Sequence, residues 1–123
     1  MPENRSQTVF VVDDQPGTAL TIAAILNASG FQATAFTDAD TVMLAAESCC
    51  PSILISDVFM PQMNGIELAI WFKATCPRCK VLLLSGNASA NSLMEVATKQ
   101  GHAFTLMSKS ILPEDLVAAV AKL

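Results

Sequence analysis

Apolar residues along the chain collect in five short runs, and between them lie longer stretches in which they recur at helical spacing. Residues 8–12 are β-branched and aromatic, as a strand requires. Residues 18–29 carry Leu20, Ala23, Ala24 and Asn27 at helical intervals and stop at Gly30. Residues 32–36 alternate polar and apolar like an edge strand. Thr37 or Asp38 can cap a second helix running to about Cys49, and Pro51 prevents its extension. Residues 52–56 form a central apolar strand. Residues 66–75 read as a helix that ends before Pro77, and 81–84 as a fully apolar strand. Ser89 or Asn91 caps a fourth helix ending at Gly101, 104–107 is the last strand, and Pro113 suits the first turn of a final helix. Five strands and five helices in strict alternation predict an α/β domain with a doubly wound parallel sheet and right-handed crossovers.

Composition narrows this picture. The 123 residues suit one domain, 1–123, without linker or repeat, and 52% of them are hydrophobic while only 15% are charged. So few charges fit a sheet covered on both faces. A net charge of -4, with seven basic residues scattered along the chain, argues against nucleic-acid binding by this domain. No apolar run approaches the roughly 20 residues that span a bilayer, and residues 1–7 are polar, so a cytoplasmic location without membrane contact is expected. Cys49, Cys50, Cys76 and Cys79 are then expected as thiols.

Chemistry concentrates at the ends of strands. In ILISDVFMPQMNG, residues 53–65, an apolar strand delivers Asp57 to its C-terminal end, followed at once by a loop with Pro61 and Gly65. Residues 9–12 likewise run into Asp13 and Asp14, then Pro16 and Gly17, read as a turn. On neighbouring parallel strands these three carboxylates converge in the crevice where open α/β sheets bind ligands. Converging carboxylates call for a divalent cation, and hard oxygen ligands with open positions suit Mg2+.

Asp13 and Asp14, Asp57 within DVFMPQMNG, Ser85 closing LLLSG and Lys109 closing FTLMSK stand in order, each at the end of an apolar run. In these residues the chain resembles the receiver domain of two-component response regulators over nearly its whole length. The resemblance implies a flavodoxin-like fold with strand order 2-1-3-4-5. It implies that Asp57 accepts a phosphoryl group from a histidine kinase, a histidine phosphotransfer protein or a small phosphodonor, in a Mg2+-dependent reaction catalysed by the domain itself. Asp14 is then the closer metal ligand, Asp13 acts directly or through water, and the backbone carbonyl of Phe59 adds an oxygen. Ser85 would donate to a phosphoryl oxygen and draw its loop along, Lys109 would pair with the phosphoryl group and with Asp57 beforehand, and a changed surface would be read by an output partner or C-terminal effector domain. Phe59 and Asn87 would flank the path of an attacking water.

Three departures from the family pattern stand out. The usual proline after the lysine, often in a cis bond, is Ser110, which predicts a trans bond and an altered loop, since a cis bond at a non-proline residue costs roughly 2.5 to 4 kcal/mol. The switch aromatic three residues before the lysine is Leu106, with Phe104 on the same face. The segment from Ser85 to Lys109 is longer than usual, with Gly86, Asn87, Ser89 and Asn91 at its start. The missing proline and switch aromatic keep open an alternative, a receiver-like interaction module that does not switch. Cys76-Pro-Arg-Cys79 has redox spacing, but it lies between a helix end and a strand rather than at a helix N-terminus, which argues against that chemistry. His102 is expected at the solvent face, and Met60, Met63 and Trp71 in packing. Whether the chain is free-standing or excised from a longer regulator is open.

Overall fold

The computed structural model describes residues 7–87 and 89–123; the polar segment 1–6 and Ala88 lie outside them. Elements alternate in chain order as β1 (Thr8–Val12), α1 (Pro16–Ala28), β2 (Gln32–Phe36), α2 (Ala39–Ser48), β3 (Ile53–Asp57), α3 (Gly65–Thr75), β4 (Lys80–Ser85), α4 (Ala90–Lys99), β5 (Thr105–Ser108) and α5 (Pro113–Ala121). The strands form one parallel sheet in the order β2-β1-β3-β4-β5. β3 lies in the middle and is buried at all five positions, whereas β2, whose sequence alternates, is an edge strand.

The sheet separates two apolar clusters, as double winding demands. On one face Leu54, Val58 and Leu83 pack with Val42 and Ala46 of α2, Leu68, Ala69 and Phe72 of α3, and Ala90 and Ala97 of α4. On the other, Val9, Val11, Ile53, Ile55 and Leu82 meet Ile22, Ala23 and Leu26 of α1 and Leu116 and Val120 of α5. Met60, Met63 and Trp71 pack against the first cluster as expected.

Some boundaries differ from the sequence reading, and open alternatives are resolved: β4 runs one residue further at each end than 81–84, and β5 is shifted by one from 104–107 to Thr105–Ser108. α1 begins at Pro16, whose missing N–H is harmless in a first turn, so Pro16 and Gly17 start the helix rather than form a turn. Asp38 caps α2 by accepting from the Thr41 N–H at 2.7 Å. Before α3, Asn64 and Glu67 make a reciprocal capping box: the Asn64 side chain accepts from the Glu67 N–H at 2.8 Å, and Glu67 accepts from the Asn64 N–H at 3.0 Å. Ser89 occupies the N-cap of α4 without a capping bond; the Asn87 side chain organises that entry, accepting from the Ser89 N–H and hydroxyl at 2.9 Å each. His102 is half-buried rather than solvent-facing, its ring parallel to Phe104 at 6.5 Å.

The cysteines require a larger correction. Cys50 and Cys76 are joined in a disulfide, and only Cys49 and Cys79 are free thiols. The expectation of four thiols fails because the ends of α2 and α3, 26 residues apart in sequence, meet at the amino end of the sheet with Cα atoms 5.7 Å apart, within bonding range.

Candidate functional site

β1, β3 and β4 end side by side, and the acids arrive there on the register of the sheet: Val12 is level with Ser56, and Asp57 with Leu84. One carboxylate oxygen from each of Asp13, Asp14 and Asp57 lies within 4.8 Å of the others. Asp13 and Asp57 are buried and Asp14 is exposed, so two acids form the floor and one the rim. Lys109, at the end of β5, reaches over this floor. Its ammonium lies 2.7 Å from Asp13 and 3.2 Å from Asp57. The pairing with Asp13 is the shorter, although the sequence reading gave Lys109 only Asp57 as a carboxylate partner.

Burial pushes the Asp57 carboxyl above the usual carboxylate range; Lys109 and the Phe59 backbone N–H oppose this, and the charge of Asp13 adds to it. For Lys109, burial disfavours the ammonium, but Asp13 and Asp57 together outweigh it and raise its pKa. Three carboxylates against one ammonium leave the cluster two negative charges in excess. Oxygen donors, close convergence and this excess fit a hard divalent cation, and the rim position of Asp14 leaves the approach open to solvent.

The surrounding loops are held by backbone bonds. The Gly65 N–H donates to the Val58 carbonyl at 2.7 Å, and a Cβ at Gly65 would collide with the Asp57 carbonyl; only glycine lets the start of α3 lie so close to the Asp57 strand end. Phe59 stands 38% exposed beside the acids. Ser85 sits at the end of β4, where its hydroxyl donates to the Asn87 carbonyl at 3.2 Å and accepts from the Asn87 N–H at 3.0 Å. Among the described residues it makes no hydrogen bond to Asp57. Sequence reading gave Asn87 a place beside the water path and missed this second link to Ser85. A cavity of about 320 Å3 opens next to it, lined by Ser85, Asn87, Leu106 and Ser108.

The loop after Lys109 has a trans Lys109–Ser110 bond, as expected, there being no cis peptide among the described residues. A pair of serines shapes it. The Ser110 N–H donates to the Ser108 hydroxyl at 3.2 Å, the two hydroxyls lie 2.8 Å apart, and the Ile111 N–H donates to the Ser108 carbonyl at 3.2 Å. Phe104 and Leu106 both pack on the first apolar cluster, on one face of the β5 edge.

The response regulator receiver domain profile matches residues 9–121. The chain belongs to the response regulator receiver domain family. This receiver is 29% identical over 114 residues to the DNA-binding transcriptional regulator NtrC of Salmonella typhimurium, covering 93% of the chain and 24% of that protein. It is 27% identical over 114 residues to the DNA-binding response regulator MtrA of Mycolicibacterium smegmatis, covering 93% of the chain and 49% of the relative. The receiver thus spans a quarter to a half of the length of these curated relatives. Among solved structures, a response regulator receiver domain protein from Clostridium thermocellum superposes with a TM-score of 0.84 at 22% identity, covering 95% of this chain and 93% of that one. Among the described residues, no helix is long and apolar enough to cross a membrane.

Proposed function

We propose that residues 1–123 act as a single phosphoacceptor unit in two-component signalling, with Asp57 receiving a phosphoryl group from the phosphohistidine of a kinase or phosphotransfer protein. The observation that carries this reading is Asp57 buried at the end of the central strand, facing Asp13 and the Lys109 ammonium. A carboxylate oxygen of Asp57 attacks phosphorus, a P–O bond forms as the P–N bond to the donor imidazole breaks, and the imidazole leaves with a proton from solvent. The product is an acyl phosphate. Its preparation is mainly positioning and charge neutralisation.

Each residue has a part. Burial holds the Asp57 carboxylate poorly solvated and in place, and Lys109, already within reach, turns toward the incoming phosphoryl oxygens. Asp13, Asp14, Asp57 and the Phe59 carbonyl would hold Mg2+, which when bound offsets the excess negative charge and orients the phosphoryl oxygens. Ser85 would give up its bonds to Asn87 to donate to the phosphoryl group. The Asn87 side chain organises the entry to α4, so that exchange would carry the change to the surface of α4 and β5. The cavity beside Leu106 provides room for the loop to move. A cytoplasmic protein whose output partner or C-terminal effector domain reads this surface completes the proposal. The domain then carries no enzymatic activity beyond loading its own Asp57, and binds no nucleic acid itself.

Intact mass after incubation with Mg2+ and acetyl phosphate tests this. One added phosphoryl group on the wild type, absent from Asp57→Asn and lost with chelator, is expected. No adduct, either with acetyl phosphate or with a phosphorylated kinase as donor, would favour the module that does not switch, for which Leu106 and Ser110, in place of the family's aromatic and proline, are the motivating residues.

A further inference from the structure

All four cysteines flank the ends of α2 and α3 at the amino end of the sheet, away from the acids. Cys49 and Cys50 follow α2, and Cys76 and Cys79 follow α3. The bonded pair is asymmetric: Cys50 is exposed, whereas Cys76 is buried. Beside the bond opens a cavity of about 540 Å3 whose lining includes Cys50, Cys76, Cys79 and two exposed basic residues, Arg78 and Lys80. The buried Cys79 thiol is pushed up to about 11 by burial, so it stays protonated and does not compete as a nucleophile. The Lys73 ammonium closes the turn between α3 and β4 by donating to the Pro77 and Cys79 carbonyls at 3.1 and 2.7 Å, so that turn has ties of its own besides the bond.

We propose that this corner is a reversible thiol–disulfide site, in which a small anionic thiol enters the cavity between Arg78 and Lys80 and exchanges at the sulfur of the exposed Cys50. Two features set it apart from a permanent staple. The domain already buries two large apolar clusters, so it does not depend on a cross-link as very small secreted domains do. Two thiols remain free close to the bond, whereas a chain matured for an oxidising compartment ordinarily pairs its cysteines. The chemistry balances. A thiolate attacks the Cys50 sulfur, the bond to Cys76 breaks, and Cys76 departs as a thiolate that takes a proton from water. A second thiolate attacks the mixed disulfide and leaves Cys50 reduced, so two small thiols become one small disulfide as the protein disulfide becomes a dithiol. The corresponding small disulfide, with the thiol as leaving group, drives the reverse. What opens is the tie between the ends of α2 and α3.

The test uses the full chain carrying Cys49→Ser, equilibrated with glutathione at graded ratios of thiol to disulfide, then acid-quenched, alkylated in denaturant and weighed. One alkylated cysteine at the oxidising extreme and three at the reducing extreme, with a reversible midpoint between, is expected. Three at every ratio, or one even in the most reducing buffer, would overturn the proposal. The seat for an anionic thiol has its own control. Arg78→Ala with Lys80→Ala should slow opening by glutathione several-fold and leave opening by uncharged 2-mercaptoethanol unchanged; equal effects on both, or none on glutathione, would overturn the basic seat. A circular dichroism spectrum matching that of the parent shows that the variant is folded.

Discussion

The two ends of this sheet solve opposite problems. At the carboxyl end two buried acids, a third at the rim and a lysine converge, and burial leaves Asp57 less willing to ionise than an ordinary carboxylate. At the amino end there is little charge in the interior, and a covalent bond joins two helices that otherwise meet through apolar side chains. One end carries an excess of negative charge that a divalent cation can offset; the other is tied. Four steps along β3, at about 3.3 Å each, separate them by roughly 13 Å, so chemistry at one should leave the other largely untouched.

That independence can be broken outright. Asp57→Asn should abolish phosphoryl uptake measured by intact mass, whereas Cys50→Ser with Cys76→Ser should keep uptake within about twofold of wild type; a large loss in the double variant would mean that the two ends are coupled. Stability should show the reverse. The 26-residue separation corresponds to about 3 to 4 kcal/mol in the chain-entropy account, so reduction should lower the melting temperature by about 10 °C or more, and calorimetry with and without reductant checks it. Lys109→Met removes the cation beside two buried carboxylates. With the lysine a quarter exposed, a loss of about 1 to 3 kcal/mol is expected in urea titrations, and Asp13→Asn should restore part of it.

Two finer effects sharpen the contrast. Phe59, standing 38% exposed beside the acids, should hinder an attacking water, so Phe59→Asn is expected to speed loss of the phosphoryl group several-fold; an unchanged half-life would discard the idea. The raised Asp57 pKa has a sign that can be worked out. The folded state binds this proton more tightly than the unfolded chain, so stability falls as pH rises through the window above the ordinary carboxylate value. Without divalent cations, Asp57→Asn should therefore raise the melting temperature by a few degrees at neutral pH, and the gain should vanish below about pH 4.

Much of this was legible in the chain. β1 and β2 fall where β-branched and alternating runs are bounded by turn residues, and the acids lie at strand ends because the apolar runs stop at them. Local signals were misread where one residue serves two purposes, as Pro16 does in a turn or at a helix start. The Asn64 and Glu67 pair was present in the sequence and passed over, being hidden in a loop attributed wholly to Asp57. The remaining features are tertiary. That Cys76 bonds Cys50 rather than Cys79, that Lys109 lies nearer Asp13 than Asp57, and that Ser85 is engaged with Asn87 all depend on how crossovers bring distant ends together, which local periodicity does not record.

Gly65 has a further consequence. Because its missing side chain lets α3 start against the Asp57 carbonyl, and its N–H is bonded to Val58, the acceptor strand and the helix after it behave as one welded piece. In the proposed reaction, Asp57 would then have a fixed anvil on one side and, on the other, the loop held by Ser85 and Asn87 as the hammer. On that proposal, the direction in which a signal leaves this domain would be set by where the backbone has no slack.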